Sequence, residues 1–579
     1  MHNKTAALIG IGAVLLIFAG IFCGAAAANQ GTFPDTGVLE STTYTLTGDV
    51  TLSADLSVPG GVSCTIDLNG YVLKGTGSGS VITVESGGKL TLTDSRPDTK
   101  HYFSKDETTG LYTYAGEKQT GSLIELSGGC LTGGKAATGG GILLETGGKF
   151  ALEGGTVVGN SVYLNGDKGG VGGGILIKKD SIFTMFGGRI SGNTAAYGGG
   201  VCMYDDSSFI MNSGYIEGNS ADTDEGGVCI YGGTFIMNGG HIKGNCADRD
   251  AGGVCVNGGT FIMNGGDIEG NHAGFGGGVF VYKGTFTMES GNITGNSADK
   301  NGGGVSISMD ASFVMNDGVI SQNSAAYGGG VFAEDGSFTL SGGTIAENSA
   351  EYGGGVYAFS NSTLSMSKGT ITRNTVSGEQ ALGAGVYIQN TRFTMEGGSI
   401  TENSANGADT AGGGVFVHEA GTFTMTGGSI TDNCAGNGGV YVASGAVFEV
   451  SGDVRIAGNY AGPADKTTDR ISKNVVLESD TGLVLAGKLN GEVLISEVGE
   501  KQPFEGGKIG LRREAAGADD AKQIKSDDGK LCGWFDQDSD PECLKWVIDP
   551  AAETPASPVP FMGILAGLGA AAVFGLRRK

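Results

Sequence analysis

The chain is dominated by short stretches in which apolar and polar residues alternate, separated by glycine-rich turns. Alternation with a period of two is typical of β-strands that bury one face. In the unit 276–296, a triple glycine precedes three such stretches, which contain Val279, Phe286 and Ile293, and the unit ends at Asn296. The alternation places these apolar residues inside and their neighbours outside. Each unit therefore predicts three short strands joined by tight turns.

The unit repeats with a period of about 26 residues, and one asparagine marks each copy. The marker residues are Asn160, Asn193, Asn219, Asn245, Asn271, Asn296, Asn323, Asn348, Asn374, Asn403, Asn433 and Asn459. Strands that all turn the same way form one coil of a solenoid, and equivalent residues of stacked coils form columns at a spacing of about 4.8 Å. The sequence therefore predicts an all-β parallel β-helix.

Two inner columns can be read from the repeats. The valine column is Val201, Val228, Val254, Val279, Val305, Val331, Val356, Val386, Val415 and Val440. The phenylalanine column is Phe183, Phe209, Phe235, Phe261, Phe286, Phe313, Phe338, Phe393 and Phe423, with Leu364 in one coil. Asparagine tolerates a left-handed turn conformation, and stacked amides can hydrogen-bond between coils. A leucine-rich repeat is disfavoured because it needs an apolar residue where these units have glycine, five positions before the asparagine.

The Gly-Gly-Gly-Val, Phe-x-Met, Gly-Gly-x-Ile and Gly-Asn-Ser-Ala motifs resemble the repeats of pectin-lyase-like surface proteins. They are also similar to the repeats of polymorphic-membrane-protein adhesins. The resemblance covers about residues 40–480 and implies a right-handed parallel β-helix. It implies no particular activity, because this fold carries both enzymes and adhesins.

Both ends of the chain have the composition of targeting segments. Residues 1–28 combine a basic start, an apolar run and small residues, which predicts a signal peptide. After the linker 551–558, residues 559–579 form an apolar run with a basic end, which predicts a transmembrane anchor or sorting tail. This tail resembles archaeal sorting signals, although it lacks a Pro-Gly-Phe tripeptide. The expected location is the cell surface, with an extracellular ectodomain anchored in the cytoplasmic membrane.

Between these segments the sequence predicts capping coils at 29–130, regular repeats at 131–471, and last coils with a cap at 472–550. Atypical end coils cover the core of a solenoid and block edge pairing. Within the cap, Cys532 and Cys543 are a candidate disulfide.

The composition limits the classes of partner that the protein is expected to bind. The formal net charge of −25 argues against nucleic acid, because phosphate is repelled, and leaves glycans, cations and surface proteins. No cofactor is indicated, but acidic turns are candidate Ca²⁺ ligands. These turns contain Asp222, Asp224, Glu225, Asp248, Asp250 and Asp299. Two sequons make Asn292 and Asn361 candidate glycosylation sites.

Aromatic residues beside the valine column are predicted to form an outward stripe. The stripe consists of Phe280, Phe332, Tyr357, Tyr387, Phe416 and Tyr441. An exposed aromatic stripe suits sugar rings or a partner protein, unless loops fold over it. Cys202, Cys229 and Cys255 share the same kind of outward column, where they could form a bridge, bind a metal or act as small packing residues.

The third strands carry the most polar outward cluster. Tyr215, His241 and Asp267 share one predicted column, and the next contains Glu217, Lys243 and Glu269. Carboxylates beside a base could support polysaccharide cleavage. The alternative is a salt-bridge ladder that relieves stacked charge.

The sequence favours a membrane-tethered surface protein without enzymatic activity. It would act as an adhesin-like or cell-envelope structural rod that binds glycans or surface proteins. The alternative is a tethered polysaccharide lyase or hydrolase, which requires an open groove along the face of His241 and Asp267.

Overall fold

The computed structural model describes residues 30–31, 34, 37–116, 123–162, 170–407, 409–462, 470–478, 481–498, 508–513, 520–527, 531–535 and 543–548. The predicted signal peptide, the linker 551–558 and the predicted anchor 559–579 lie outside the described residues. Within the described part of the chain, no helix is long and apolar enough to cross a membrane.

The described residues form a parallel β-solenoid of about 15 coils, as the repeat predicted. Each regular coil adds one strand to each of three columns, called here the first, second and third strands in their order after the glycine turn. The first strands are Gly37–Val38, Leu56–Val58, Ile82–Val84, Ile142–Leu144, Ile175–Ile177, Val201–Met203, Val228–Tyr231, Val254–Asn257, Val279–Tyr282, Val305–Ser308, Val331–Glu334, Val356–Phe359, Val386–Gln389, Val415–His418, Val440–Val442 and Val475–Leu477.

The second strands contain the phenylalanine column. They are Gln30–Gly31, Thr43–Thr45, Ser63–Asp67, Lys89–Thr93, Lys149–Leu152, Ile182–Met185, Ser208–Met211, Thr234–Met237, Thr260–Met263, Thr285–Met288, Ser312–Met315, Ser337–Leu340, Thr363–Met366, Arg392–Met395, Thr422–Thr431, Val447–Ala457, Gly482–Leu489 and Lys508–Arg513. The strands Thr422–Thr431 and Val447–Ala457 are long enough to continue into the third-strand column.

The third strands carry the polar cluster. They are Val50–Thr51, Val72–Lys74, Cys130–Thr132, Thr156–Val158, Arg189–Ser191, Tyr215–Glu217, His241–Lys243, Asp267–Glu269, Asn292–Thr294, Val319–Ser321, Thr344–Ala346, Thr370–Thr372, Ser399–Thr401 and Ile524–Ser526. The strand Glu492–Val498 pairs with the third-strand part of Val447–Ala457 and with the first strand Val475–Leu477.

Many coils add one or two short strands after the third strand, which the sequence did not predict. These strands are Lys135–Ala136, Ser161–Val162, Thr194–Tyr197, Ser220–Asp224, Cys246–Ala247, His272–Phe275, Ser297–Asn301, Ser349–Ala350, Thr375–Ser377, Gln380–Leu382, Ser404–Asn406 and Asp409–Ala411. They bury mainly one small residue per coil, such as Ala221, Ala247 and Ala273, so their apolar pattern is weak.

The core is filled by stacked identical side chains. Register pairs such as Val201 with Val228 and Phe209 with Phe235 confirm the predicted columns. The phenylalanines are fully buried, and successive ring centroids lie 4.5 to 5.1 Å apart. Offset stacking of aromatic rings stabilises each contact by about 1 kcal/mol beyond the burial of apolar area.

The asparagines form a buried ladder from Asn160 to Asn474. Each Nδ2 donates to the Oδ1 of the next asparagine at 2.9 to 3.1 Å, which confirms the predicted bond between coils. The predicted left-handed conformation of the asparagines was wrong. Positive φ falls on the preceding residue, such as Gly270 or Gln322, because that residue makes the turn while the asparagine side chain points into the ladder.

Three regions depart from the regular coil. An insertion of three antiparallel strands, Lys100–Lys105, Tyr112–Gly116 and Ile124–Ser127, separates a second strand from the third strand that follows it. Near the other end, Leu531–Phe535 and Cys543–Ile548 pair in antiparallel fashion, and a 3-10 turn spans Ala521–Gln523. A short antiparallel pair joins Tyr460–Ala461 to Ile471–Ser472.

Candidate functional site

The third-strand face between residues 189 and 294 brings together the polar residues predicted as one column. Tyr215, His241 and Asp267 are register partners in successive coils. The Tyr215 and His241 rings stack with centroids 4.9 Å apart, and His241 Nδ1 lies 3.1 Å from Asp267 Oδ2. Asn292 continues the column and donates from Nδ2 to Asp267 Oδ1 at 2.8 Å. These side chains therefore form one connected, partly exposed row.

The neighbouring column alternates in charge. Glu217 Oε1 lies 2.5 Å from Arg189 Nη1, and Glu217 Oε2 lies 3.9 Å from Lys243 Nζ. Glu269 Oε1 lies 3.7 Å from His241 Nδ1. The Arg189 guanidinium also covers the Tyr215 ring at 4.1 Å from its centroid. Alternation keeps like charges from stacking at the coil spacing, as the salt-bridge ladder interpretation expected.

The three-stranded insertion forms a wall beside this face. The Tyr112 backbone N–H donates to the Gly192 carbonyl at 3.1 Å, which attaches the insertion to the solenoid. The Tyr112 ring lies so close that a Cβ on Gly192 would fall 2.1 Å from it. Burial raises the pKa of the Tyr112 phenol, and the charges of Glu217 and Glu107 add to this shift. The sequence showed only an irregular stretch before Cys130, so this wall was not predicted.

Between the wall and the third strands lies a groove of about 770 Å³. Its lining includes Tyr112 and Leu126 from the insertion and Glu217, Lys243 and Glu269 from the solenoid. The groove also exposes the turn glycines Gly218, Gly244, Gly270 and Gly295. An open groove therefore exists on the predicted face. His241 and Asp267 stand one column to its side, so the predicted acid-base pair does not line it.

The aromatic stripe, by contrast, is buried. The exposed fractions are 5–7% for Phe332, Tyr357, Tyr387 and Phe416. Their rings stack in order with centroids 4.7 to 5.5 Å apart.

Aromatic residues in the turn before the triple glycine cover the stripe. Tyr327 and Tyr352 contribute rings that meet Tyr357 and Tyr387 edge-on, at centroid distances of 5.5 and 6.1 Å. Exposure of the stripe was therefore predicted wrongly for its four central members. At its ends, Phe280 and Tyr441 are half-buried, and the Tyr441 hydroxyl donates to Glu478.

The three column cysteines are buried, unbridged thiols. Cys202, Cys229 and Cys255 are register partners, and burial raises the pKa of the Cys229 and Cys255 thiols well above the usual value. Neutral buried thiols behave as small apolar residues. Packing is thus the role that the structure gives them.

Glu225 and Asp224, which were predicted as candidate Ca²⁺ ligands in an acidic turn, are buried. Glu225 is 3% exposed, and burial, with the nearby Asp224 charge, raises its pKa to about 7. It replaces the first glycine of the triple at φ 68°, and Tyr231 donates to its Oε1 at 3.3 Å. Asp224 pairs with Arg249. The sequence signal for this buried acid was the loss of glycine at that turn.

Three further predictions concern a metal site, two glycosylation sites and a disulfide. Among the described residues, no group of three His, Cys, Asp or Glu side chains is placed to hold a metal ion. Asn292 and Asn361 are exposed, and their glycosylation stays a prediction. Cys532 lies opposite Val547 in the antiparallel pair, four positions along that strand from Cys543. The disulfide between Cys532 and Cys543 stays a prediction.

The stacked parallel strands, the inner columns and the asparagine ladder define the class as a parallel β-helix repeat protein. A family model described as "Right handed beta helix region" matches residues 277–459. The coils and this match together support a right-handed parallel β-helix repeat protein. No curated protein and no solved structure matches the chain.

Proposed function

We propose that the protein is exported and anchored at the cell surface, where its β-helix is an adhesin-like or envelope rod that binds glycans or surface proteins. The observation that carries this proposal is the groove between the insertion and the third strands. The targeting signals at 1–28 and 559–579 favour the location, with the membrane contacted through the C-terminal segment. The acidic net charge argues against nucleic acid as a partner.

The groove suits binding because its wall is an addition to the regular coil. About 15 coils give a rod roughly 70 Å long, at about 4.8 Å per coil, whose interior is filled by its own side chains. The insertion packs Phe103 and Leu126 against outward-facing residues of the third strands, and it also encloses a partly charged groove beside the rod. Concave sites with a few convergent polar groups are typical of ligand binding.

Retention on immobilised polysaccharides tests the proposal. Residues 29–550 are applied to a panel of polysaccharides with calcium present, and both retention and chain shortening are recorded. We expect retention without shortening, reduced by at least about tenfold in Lys243→Ala because its ammonium group lines the groove. Lys368→Ala, a change at an exposed residue outside the groove, is the matched control. A chain that binds none of the polysaccharides contradicts the glycan-binding role.

A second candidate function is polysaccharide cleavage, which the 3.1 Å contact between His241 and Asp267 favours. Its test is product formation in the same panel. Chain shortening that disappears in His241→Ala would establish an enzyme. This pair lies beside the groove and does not line it, and Glu217 is already paired with Arg189. Both observations favour binding over cleavage.

The location has a separate test. Protease added to intact cells is expected to remove the ectodomain while cytoplasmic proteins stay intact. Full protection of the chain, measured by immunoblotting against the repeats, contradicts surface exposure.

A further inference from the structure

The second strands of eight successive coils present an outer face without a charged side chain. This second-strand face consists of the first and third residues of each second strand from Ile182–Met185 to Thr363–Met366. Every one of these outward positions holds serine, threonine, isoleucine or valine. Charge returns at the two ends, with Lys149 in the coil before the face and Arg392 in the coil after it. The face is therefore a charge-free stretch on a chain of formal net charge −25.

Apolar side chains are concentrated on this face. Ile210, Ile236 and Ile262 are register partners in three successive coils and form an outward, half-buried aliphatic strip. Phe186, directly after the first strand of the face, is 46% exposed, and Met309, in a turn that enters a later strand of the face, is 48% exposed. Apolar side chains gathered on one patch mark a contact surface, because their burial is favourable. The strip thus points to a protein contact.

A second charge-free face allows a comparison. The third strands from Asn292–Thr294 to Ser399–Thr401 also carry no outward charge. Val319 is half-buried and Ala346 is buried, and they are the outward aliphatic residues of this third-strand face. An exposed charged row borders the third-strand face, and it contains Glu347, Arg373 and Glu402. Absence of charge is therefore shared by both faces, and the apolar strip distinguishes the second-strand face.

We propose that the second-strand face is a contact between two copies of this chain. The eight strands pair in register without a bulge, so the face is even and can lie against an equal face. Copies of a chain with 61 acidic and 36 basic residues repel each other where charged surfaces meet. Two second-strand faces meet without burying a charge, and a twofold axis makes one patch its own partner.

The size of the face sets the strength of the contact. Eight coils extend about 38 Å along the rod at about 4.8 Å per coil, and strands of four residues are about 13 Å wide. Each copy thus contributes about 500 Å², and the pair buries about 1,000 Å², which is the lower limit for a specific interface. The dimer is therefore weak and reversible, with a dissociation constant on the order of 10 µM or above.

The turns on both sides of the face determine how the dimer responds to salt. Among these turn residues, acidic side chains outnumber basic ones by seven to four. Asp206 and Asp310 lie on the side of the first strands, and Glu289 lies on the side of the third strands. Asp310 also lines a cavity of about 510 Å³ beside Met309. Two such rims repel each other, and salt screens the repulsion, so the dimer becomes tighter as salt is added.

The test places one charge in the aliphatic strip. Ile236→Glu sets a carboxylate against the partner and leaves the core intact, because Ile236 points outward. Thr260→Glu, in the next coil of the face, is a second variant that replaces a polar residue. Val319→Glu is the matched control, since Val319 is also β-branched, outward and half-buried but lies on the third-strand face.

Urea unfolding midpoints are compared first, and a variant is used further only if its midpoint equals that of the control. Sedimentation equilibrium of the full-length chains in density-matched detergent then gives the dissociation constant at low and at high salt. We expect wild type and Val319→Glu to form a dimer that tightens with salt. Ile236→Glu and Thr260→Glu are expected to raise the dissociation constant at least about tenfold, because each buries an unpaired charge.

Three results overturn the proposal. The first is a wild-type chain that stays monomeric up to about 200 µM, well above the expected dissociation constant. The second is a dimer that Ile236→Glu and Thr260→Glu leave unchanged, because the contact then lies in another segment, such as the predicted anchor. The third is a dimer that Val319→Glu weakens equally or that salt weakens, because the contact is then not between two charge-free second-strand faces.

Discussion

Two outward-facing columns of this β-helix differ in what becomes of their side chains. The first-strand column from Phe332 to Tyr441 points away from the core but is closed by turn residues into a second packed cluster. The third-strand column from Tyr215 to Asp267 also points away from the core, and its side chains stay partly exposed beside a groove. Strand alternation is the same in both columns.

The difference teaches that the direction of a side chain and its exposure are separate properties in a solenoid. Direction follows from the alternation within one strand. Exposure depends on what the neighbouring turns carry, which is Tyr327 and Tyr352 in one case and bare glycine in the other. A substitution should therefore affect stability in the closed column and recognition at the open face.

The largest stability effect is expected inside the closed column. Tyr387→Ala removes a 5% exposed ring that stacks on Tyr357 and Phe416. We expect a loss of about 3 to 5 kcal/mol in unfolding free energy, because a large cavity remains. Urea unfolding followed by circular dichroism measures it.

Phe280→Ala is the control for this prediction, since Phe280 lies in the same column but is half-buried. It should be clearly less destabilising. Equal effects of the two substitutions would show that the turn tyrosines do not create a second core.

The second-largest stability effect is expected at Glu225, the buried acid in the turn before the first strand Val228–Tyr231. The folded-state pKa of Glu225, about 7, is above its ordinary value of 4.5, so the carboxyl favours folding least at high pH. Its contribution is fully present below pH 4.5 and is lost as the pH rises through about 7.

Glu225→Gln keeps this position neutral at every pH. The variant should therefore gain stability relative to wild type between pH 5 and pH 8, by up to about 3 kcal/mol. Paired urea titrations at the two pH values measure the gain. A stability difference that does not change with pH would place Glu225 in contact with water.

The smallest stability effect is expected on the open face. Tyr215→Ala removes a partly exposed ring between Arg189 and His241, so unfolding free energy should fall by only about 1 kcal/mol or less. The same change should weaken polysaccharide retention by freeing the Arg189 side chain. A loss as large as that of Tyr387→Ala would make the open face part of the core.

The repeat made the fold predictable, because one pattern recurs with equal spacing and every copy supports the same columns. The valine and phenylalanine columns and the asparagine bonds between coils are all confirmed. The left-handed turn was assigned one residue too late, since asparagine and the glycine before it both tolerate that conformation.

The candidate site was less predictable, because it depends on contacts between segments that follow no repeat. The pairing of His241 with Asp267 followed from the register. The groove did not, since its wall comes from Tyr112 and Leu126, which precede the coils that they face by many residues. The burial of Tyr357 depends on turn tyrosines whose packing has no signal in the strand pattern.

The asparagine ladder also sets how the length of the rod can change. Each interior asparagine donates to the following one and accepts from the preceding one, so a whole additional repeat restores the bonds that its insertion interrupts. The terminal partners, Gly134 at one end and Asp527 at the other, are needed once, whatever the number of coils between them. Duplication or deletion of one repeat thus lengthens or shortens the rod by about 4.8 Å.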